Sequence, residues 1–386
     1  MQSGSRILIV GGGIAGLTAA IALRRAGIEV EVVEQNPAWT VYGVGIIQLA
    51  NALRALNTIG LADQCVAAGH PLPSVRLYDG QGHLVVEIPQ PPLAGPQFPP
   101  GNALTRSRLH AILQRAVRES GANIRLGLTV AELADTDTGV DVTFTDGTTG
   151  HYDLVVGADG IRSLVRRMVF GPEYQPTYVG QMCWRCNVPR PPEVETAWLF
   201  EGGPIGRGGF IPLAQDLMYI LLVETTNTAS PPRVPDDRLV ETLRERLGPF
   251  GGPLAEVRDR DITPSSDVVL RPFETLLMPP PWYRGHVVLI GDAAHSMTAH
   301  IAQGAALAVE DAIVLAEEIA GRDGGTGSDG GTALQEALDR FMQRRYERCK
   351  ALVEISSEIS RGERERVDVD VPGLTRRSFE VAAAPI

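Results

Sequence analysis

Apolar and polar positions follow two rhythms along this chain. The first is a short, mostly apolar run, unbroken at residues 7–10 (Ile-Leu-Ile-Val), interrupted by Glu29 and Glu31 at 28–33, and found again at 153–156 and 285–289. Such runs predict strands buried on both faces of a parallel sheet. A helical stretch at 17–26, ended by Gly27, joins the first two into one βαβ unit of the doubly wound kind. Further helices are expected at 51–56 and 107–119. Residues 124–153 read as strands, with Asp146-Gly147 as a hairpin turn inside 140–152.

The second rhythm is alternation, from about 175 to 280. Proline-rich turns such as Pro189-Arg190-Pro191-Pro192 and Pro279-Pro280-Pro281 separate the runs there. Residues 210–211 and 218–224 predict antiparallel strands, and 237–247 one helix. The chain then returns to the first rhythm at 285–289, followed by a helix at 305–320. A Gly/Ser/Thr/Asp loop at 321–331 precedes an amphipathic helix at 333–359, and the tail after 362 is expected to be loose. The predicted fold is α/β. A discontinuous, doubly wound (Rossmann-type) dinucleotide domain (1–75, 100–175, 281–320) carries an inserted antiparallel-sheet substrate domain (76–99, 176–280). A C-terminal helix and tail occupy 333–386.

Composition narrows the function. With 386 residues the chain is long enough for two or three domains. Asp+Glu 46 against Lys+Arg 35 gives −11, which argues against a nucleic-acid surface. Four cysteines are too few for a disulfide scaffold, so a reduced, cytoplasmic setting is expected. Cys183-Trp184-Arg185-Cys186 spells C-x-x-C, but on a strand residues three apart point to opposite faces. It therefore reads as structural, and no metal site is expected. The uncharged run 7–23 is broken by Gly11, Gly12, Gly13 and Gly16 and is followed by no cleavage site. Neither a membrane span nor a secretory signal is expected. Lys350 is the single lysine.

The chemistry concentrates in four stretches. Gly11-Gly12-Gly13-Ile14-Ala15-Gly16 matches G-x-G-x-x-G after a strand and at the start of a helix. Gly11 permits the turn, Gly13 lets a pyrophosphate approach the backbone, and Gly16 lets helix and strand pack. Glu34 follows at the distance of a ribose-binding carboxylate. A second literal match, residues 325–330, follows a helix and lacks that context. A strand also runs into Asp159-Gly160, and another into Gly291-Asp292 at the mouth of the sheet, where Asp292 is placed to accept a sugar or ribityl hydroxyl. Gln303-Gly304 opens the next helix, whose N-terminus would stabilise negative charge on a group bound beside it.

These stretches, in this order, resemble the single-component (class A) FAD-dependent aromatic hydroxylases, the family of para-hydroxybenzoate hydroxylase. The resemblance covers roughly residues 5–320. It implies FAD held by Gly11, Gly13, Ala15, Gly16, Glu34, Asp159, Gly291, Asp292, Gln303 and Gly304. Gly45, in Gly43-Val44-Gly45-Ile46, matches the stretch beside the flavin ring. Arg106 matches an arginine that contacts FAD, and Val130 a position near the adenine. Two departures stand out: Ala299 where the family usually has proline, and Ala302 where it often has glycine. Members acting on urate and on hydroxylated nicotinate-type rings are nearest in motif.

The resemblance further implies NADH or NADPH as reductant, O₂ as co-substrate, a C4a-hydroperoxyflavin as oxidant, and a small aromatic or N-heteroaromatic ring as substrate. Arg207, Tyr219 and His300 match substrate-side positions. Arg207 either anchors an acidic ring or is a solvated hairpin residue. Tyr219 faces the ring or fills a core, and His300 is a base or loop packing. Gln48 is a further candidate to face the ring. Either a monomer or a homodimer is compatible. An FAD halogenase is set aside, because it needs a catalytic lysine between its tunnels. Epoxidation, Baeyer–Villiger or another biosynthetic oxidation, a flavin-dependent reductase, and a flavin-binding scaffold remain as alternatives.

Overall fold

The computed structural model describes residues 5–41, 43–201, 205–226, 228–321 and 330–386. The second G-x-G-x-x-G, at 325–330, falls almost wholly outside them. The apolar runs form a six-stranded sheet in the order Tyr283–Arg284, Val287–Leu289, Leu154–Gly157, Arg6–Val10, Glu29–Glu34, Asn123–Leu126. All its pairings are parallel except the edge hairpin. Helices Ile14–Arg25, Arg106–Glu119 and Gly304–Ala320 belong to the same apolar core. The strand order reverses between Arg6–Val10 and Leu154–Gly157, and the carboxyl ends of strands at such a reversal are where ligands bind.

The alternating region makes an eight-stranded sheet centred on the long strand Thr177–Pro189. One face of that strand, through Trp184 and Cys186, packs on a core completed by Leu239–Arg246 and Gly252–Asp261. The second of those helices gave no clear sequence signal. The other face, through Cys183 and Arg185, lines a cavity. Cys183 and Cys186 thus point to opposite faces, and all four cysteines are free and buried. A three-stranded sheet pairs Gly101–Thr105 with Gly45–Leu49 and His70–Pro71.

The tail differs from its expectation. The long helix runs to 365 (Gly330–Glu365), and a second one, Val371–Ala383, follows. Asp370 caps it by accepting from the Gly373 N–H at 2.8 Å. Arg54 and Arg348 donate to backbone carbonyls of residues 381–384 and hold its end. The tail read as loose in sequence because the arginines that satisfy its carbonyls, Arg54 and Arg348, are distant along the chain. Among the described residues, no helix is long and apolar enough to cross a membrane.

Candidate active site

The glycine turn at 11–16 shows a division of labour. Gly11 has φ +111°, and a Cβ there would sit 2.4 Å from the Ala158 carbonyl oxygen. At Gly16 a Cβ would lie 2.0 Å from the Gly11 oxygen. Both must be glycine for the protein itself. Gly13 is different, since a Cβ there meets nothing within 4 Å. The space beyond it is the cleft, lined by Gly13, Ile14 and Ala15. No side chain caps helix Ile14–Arg25. Its first N–H groups are available to an anion, with the helix dipole favouring negative charge. Glu34 accepts from the Gly12 N–H at 2.8 Å and the Asn36 N–H at 2.7 Å, which fixes its carboxylate beside the turn.

Other sequence-predicted residues converge on the same cleft of about 340 Å³: Gly45, Arg106, Asp292 and Gly304 all line it. Arg106 and Asp292 are accessible from the cleft they border, yet protein surrounds both closely enough to desolvate them. Burial raises the Asp292 pKa, while His295 and Arg106 pull it back down. No hydrogen bond within the described chain uses its carboxylate, which leaves it for a ligand hydroxyl. A carboxylate ready to accept, a glycine with open space and an uncapped helix fit a bound FAD, with Gly13 and the helix at the pyrophosphate and Asp292 at a hydroxyl.

Three predicted cofactor residues sit otherwise. Asp159 spends both oxygens on helix Leu164–Phe170, accepting from Ser163 Oγ at 2.5 Å and from the Leu164 and Val165 N–H groups. Its neighbour Gly160 lines the cleft instead. Val130 is fully buried at the start of strand Val130–Thr136. Gln303 is buried, with its oxygen held by Asn51 Nδ2 at 2.9 Å and its own Nε2 unpaired. Gln48 accepts from Asn102 Nδ2 at 2.9 Å and lines neither cavity.

A second cavity, of about 180 Å³, adjoins the first. Both share Ile47, Arg185, Tyr219, Ala299 and Ala302. Sheet register builds its floor in rungs: Arg207, Val223 and Cys183, then Leu221 and Arg185, then Ile211 and Tyr219. The Tyr219 end is the one that adjoins the Gly45 stretch, since a Cβ on Gly45 would meet the Tyr219 ring at 2.5 Å. Helix Val371–Ala383 covers the cavity with Val371, Pro372 and Phe379.

Arg207 and His300 meet at the far end. Arg207 is 12% exposed, so it is no solvated hairpin residue. It lies 2.8 Å from Glu201 and 3.0 Å from Glu363 of the long C-terminal helix. His300 places Nε2 3.0 Å from the other Glu363 oxygen and Nδ1 2.8 Å from Thr298 Oγ1. Gln181 donates to Glu363 as well. Burial opposes the Glu363 charge, but Arg207 and His300 outweigh it and hold its pKa at about 2.

A family model described as an FAD binding domain matches residues 5–356. The chain belongs to that family. It is 31% identical to a putative FAD-dependent monooxygenase, YetM, of Bacillus subtilis, over 92% of this chain and 93% of the relative. It is 37% identical to 2-heptyl-3-hydroxy-4(1H)-quinolone synthase of Pseudomonas aeruginosa, over 80% and 79%. Among solved structures, a tetrameric 2-methyl-3-hydroxypyridine-5-carboxylic acid oxygenase superposes with TM-score 0.77 at 25% identity, covering 98% of this chain and 96% of that one. The protein is an FAD-dependent monooxygenase of the aromatic-hydroxylase type.

In this monooxygenase the Gly291–His295 corner rests on a buried ionic network that sequence reasoning did not find. Asp311 accepts from the Gly291 N–H at 2.8 Å, from His295 Nε2 at 2.6 Å and from Arg345 Nε at 2.8 Å. Glu310 accepts from Arg345 and Arg348. His295 is therefore a structural partner of Asp311. Asp311, His295 and Cys349 bring potential metal donors together, but Arg345 is fixed among them and would repel a cation. Arg185 and Glu363 were missed too. A C-x-x-C spelling masked the first. The second carried one signal: the apolar stripe Leu352, Ile355, Ile359 reaches residue 363 on the same helix face.

Proposed function

We propose that this monooxygenase hydroxylates a small aromatic or N-heteroaromatic ring, with NADH or NADPH as reductant and O₂ as the oxygen source. The observation that carries the reading is the cavity behind the FAD cleft, sharing five lining residues with it. FAD supplies the redox chemistry: once reduced, it activates O₂ so that one oxygen atom reaches the ring. The chain's part is to hold the ring at the Tyr219 end, exclude water and fix its orientation. The apolar walls and the roof of helix Val371–Ala383 supply the exclusion.

Relatives support an N-heteroaromatic ring. Besides the quinolone synthase, the chain is 30% identical to 6-hydroxynicotinate 3-monooxygenase of Pseudomonas fluorescens over 82% of its length. A relative called Aurachin C monooxygenase/isomerase, 32% identical over 92% of the chain, favours as a second reading an oxidation within a biosynthetic sequence. The test is NAD(P)H and O₂ consumption by the purified protein with hydroxybenzoates, hydroxynicotinates, 4-quinolones and urate. A ring that stimulates both and gains one oxygen establishes the reading. Oxygen-independent turnover would replace it with a reductase.

A further inference from the structure

Among the described residues, the cation that lines the second cavity and pairs with no carboxylate is Arg185. Arg207, the residue whose type and position suggested an anion-binding role, is already flanked by two carboxylates, Glu201 and Glu363. Arg185 has no such partner. Among the described residues it forms no ion pair with a carboxylate, and its close neighbours are Tyr219, Cys183 and Arg106. Burial pushes the Tyr219 phenol up to about 12 and raises the Cys183 thiol, so both are neutral at pH 7. Arg106 adds positive charge rather than balancing it. A guanidinium drawn into the protein without a counter-charge is costly unless a ligand completes it.

Place decides what that ligand is. Arg185 lines both cavities, one rung nearer the flavin stretch than Arg207. An oxygen substituent on the ring to be hydroxylated falls there, whereas a carboxylate pointing away from the flavin would meet the already paired Arg207 end. We propose that Arg185, with Tyr219 as hydrogen-bond partner, binds the ionised hydroxyl (or the anionic oxo tautomer) of the substrate ring. The substrate class is then a hydroxylated aromatic or N-heteroaromatic ring recognised through its own oxyanion, needing no carboxylate. This rests on the hydroxylase reading. Binding the ring as its anion makes it more electron-rich, as attack by an electrophilic oxygen requires. The proton is lost to water before or during binding.

The experiment titrates the FAD-loaded enzyme with 4-nitrophenol, whose anion has its own visible absorbance, across a pH series. Wild type should bind the anion at least tenfold more tightly than the neutral phenol. Arg185→Gln should lose that preference with FAD content unchanged, Arg185→Lys should keep part of it, and Arg207→Gln should keep it. Wild type binding both forms alike, or neither, overturns the proposal. So does loss of the preference in Arg207→Gln instead. If Arg185→Gln does not fold, unchanged binding strength and preference in Arg185→Lys overturns it, because a lone ammonium lacks the planar fork. An unaltered preference in Arg185→Gln with a shifted flavin midpoint potential would assign the cation to the flavin and also overturn the proposal. Hydroxylation of a ring by Arg185→Gln at wild-type KM sinks this inference and leaves the hydroxylase reading standing. Failure of every ring to stimulate NAD(P)H oxidation sinks that reading itself.

Discussion

The Glu363 carboxylate on the C-terminal helix lies 3.0 Å from the Arg207 guanidinium on the substrate sheet. It joins two parts of the chain that are distant in sequence, beside the cavity that Arg207 and His300 line.

The first prediction concerns acid. The Glu363 pKa is lowered from 4.5 to about 2 in the folded protein. A carboxylate whose folded pKa is depressed contributes stability above its unfolded pKa, and loses it as pH falls through the folded value. Stability from this contact should therefore be complete above about pH 4.5 and drain away toward pH 2. Glu363→Ala leaves Arg207 with Glu201 alone and His300 Nε2 without its acceptor, and should cost roughly 1–3 kcal/mol at neutral pH. Thermal melts from pH 7 downward check this. A Glu363→Gln protein with the same acid profile as wild type would contradict it.

Gly13→Val separates folding from cofactor binding. Gly13 has extended backbone (φ −86°, ψ −168°), which valine accepts, and open space where a Cβ would go. The variant should fold with stability changed by less than about 1 kcal/mol, yet purify without FAD. A yellow, fully loaded protein would remove Gly13 from the pyrophosphate.

Asp292→Ala should leave the fold intact and weaken FAD retention. One lost hydrogen bond to a charged acceptor is worth about 1.5–3 kcal/mol, or roughly 10- to 150-fold in Kd. Equilibrium binding of FAD to the apoprotein measures it, and an unchanged Kd would exclude the hydroxyl contact.

Ala302 holds a left-handed backbone at φ +53°, where the resemblance leads one to expect glycine. That conformation costs a non-glycine residue about 1–2 kcal/mol. Ala302→Gly recovers it but loosens the unfolded chain by about 0.4–1 kcal/mol. The net expectation is a gain of up to about 1.6 kcal/mol, visible as a raised Tm. A lowered Tm would mean that the alanine methyl makes contacts that outweigh its strain.

The flavin half of the site was legible because its signals are local. Gly11, Gly13 and Gly16 act within six residues, and Gly291-Asp292 ends a strand whose apolar run is plain. The substrate half was not, because its parts meet only across the sheet. Arg207 stood out by position, but nothing near it in sequence tells that Glu363 would take up its charge. Arg185 looked like filler between two cysteines until the strand register set it beside Tyr219. Asp159 matched a motif, but the motif's work is shared: its carboxylate caps a helix and Gly160 faces the cleft.

The six-stranded sheet has a consequence for how the protein is made. Strand Leu154–Gly157 is held on one side by Arg6–Val10 and on the other by Val287–Leu289. During synthesis the first partner is present and the second is not, until the whole inserted sheet has emerged. An apolar strand edge therefore stands open on the nascent chain for that interval, with unpaired N–H and C=O groups facing water or another chain. Slowing translation between residues 158 and 289 should lower soluble yield more than slowing it elsewhere, and holdase chaperones should act before the flavin site closes.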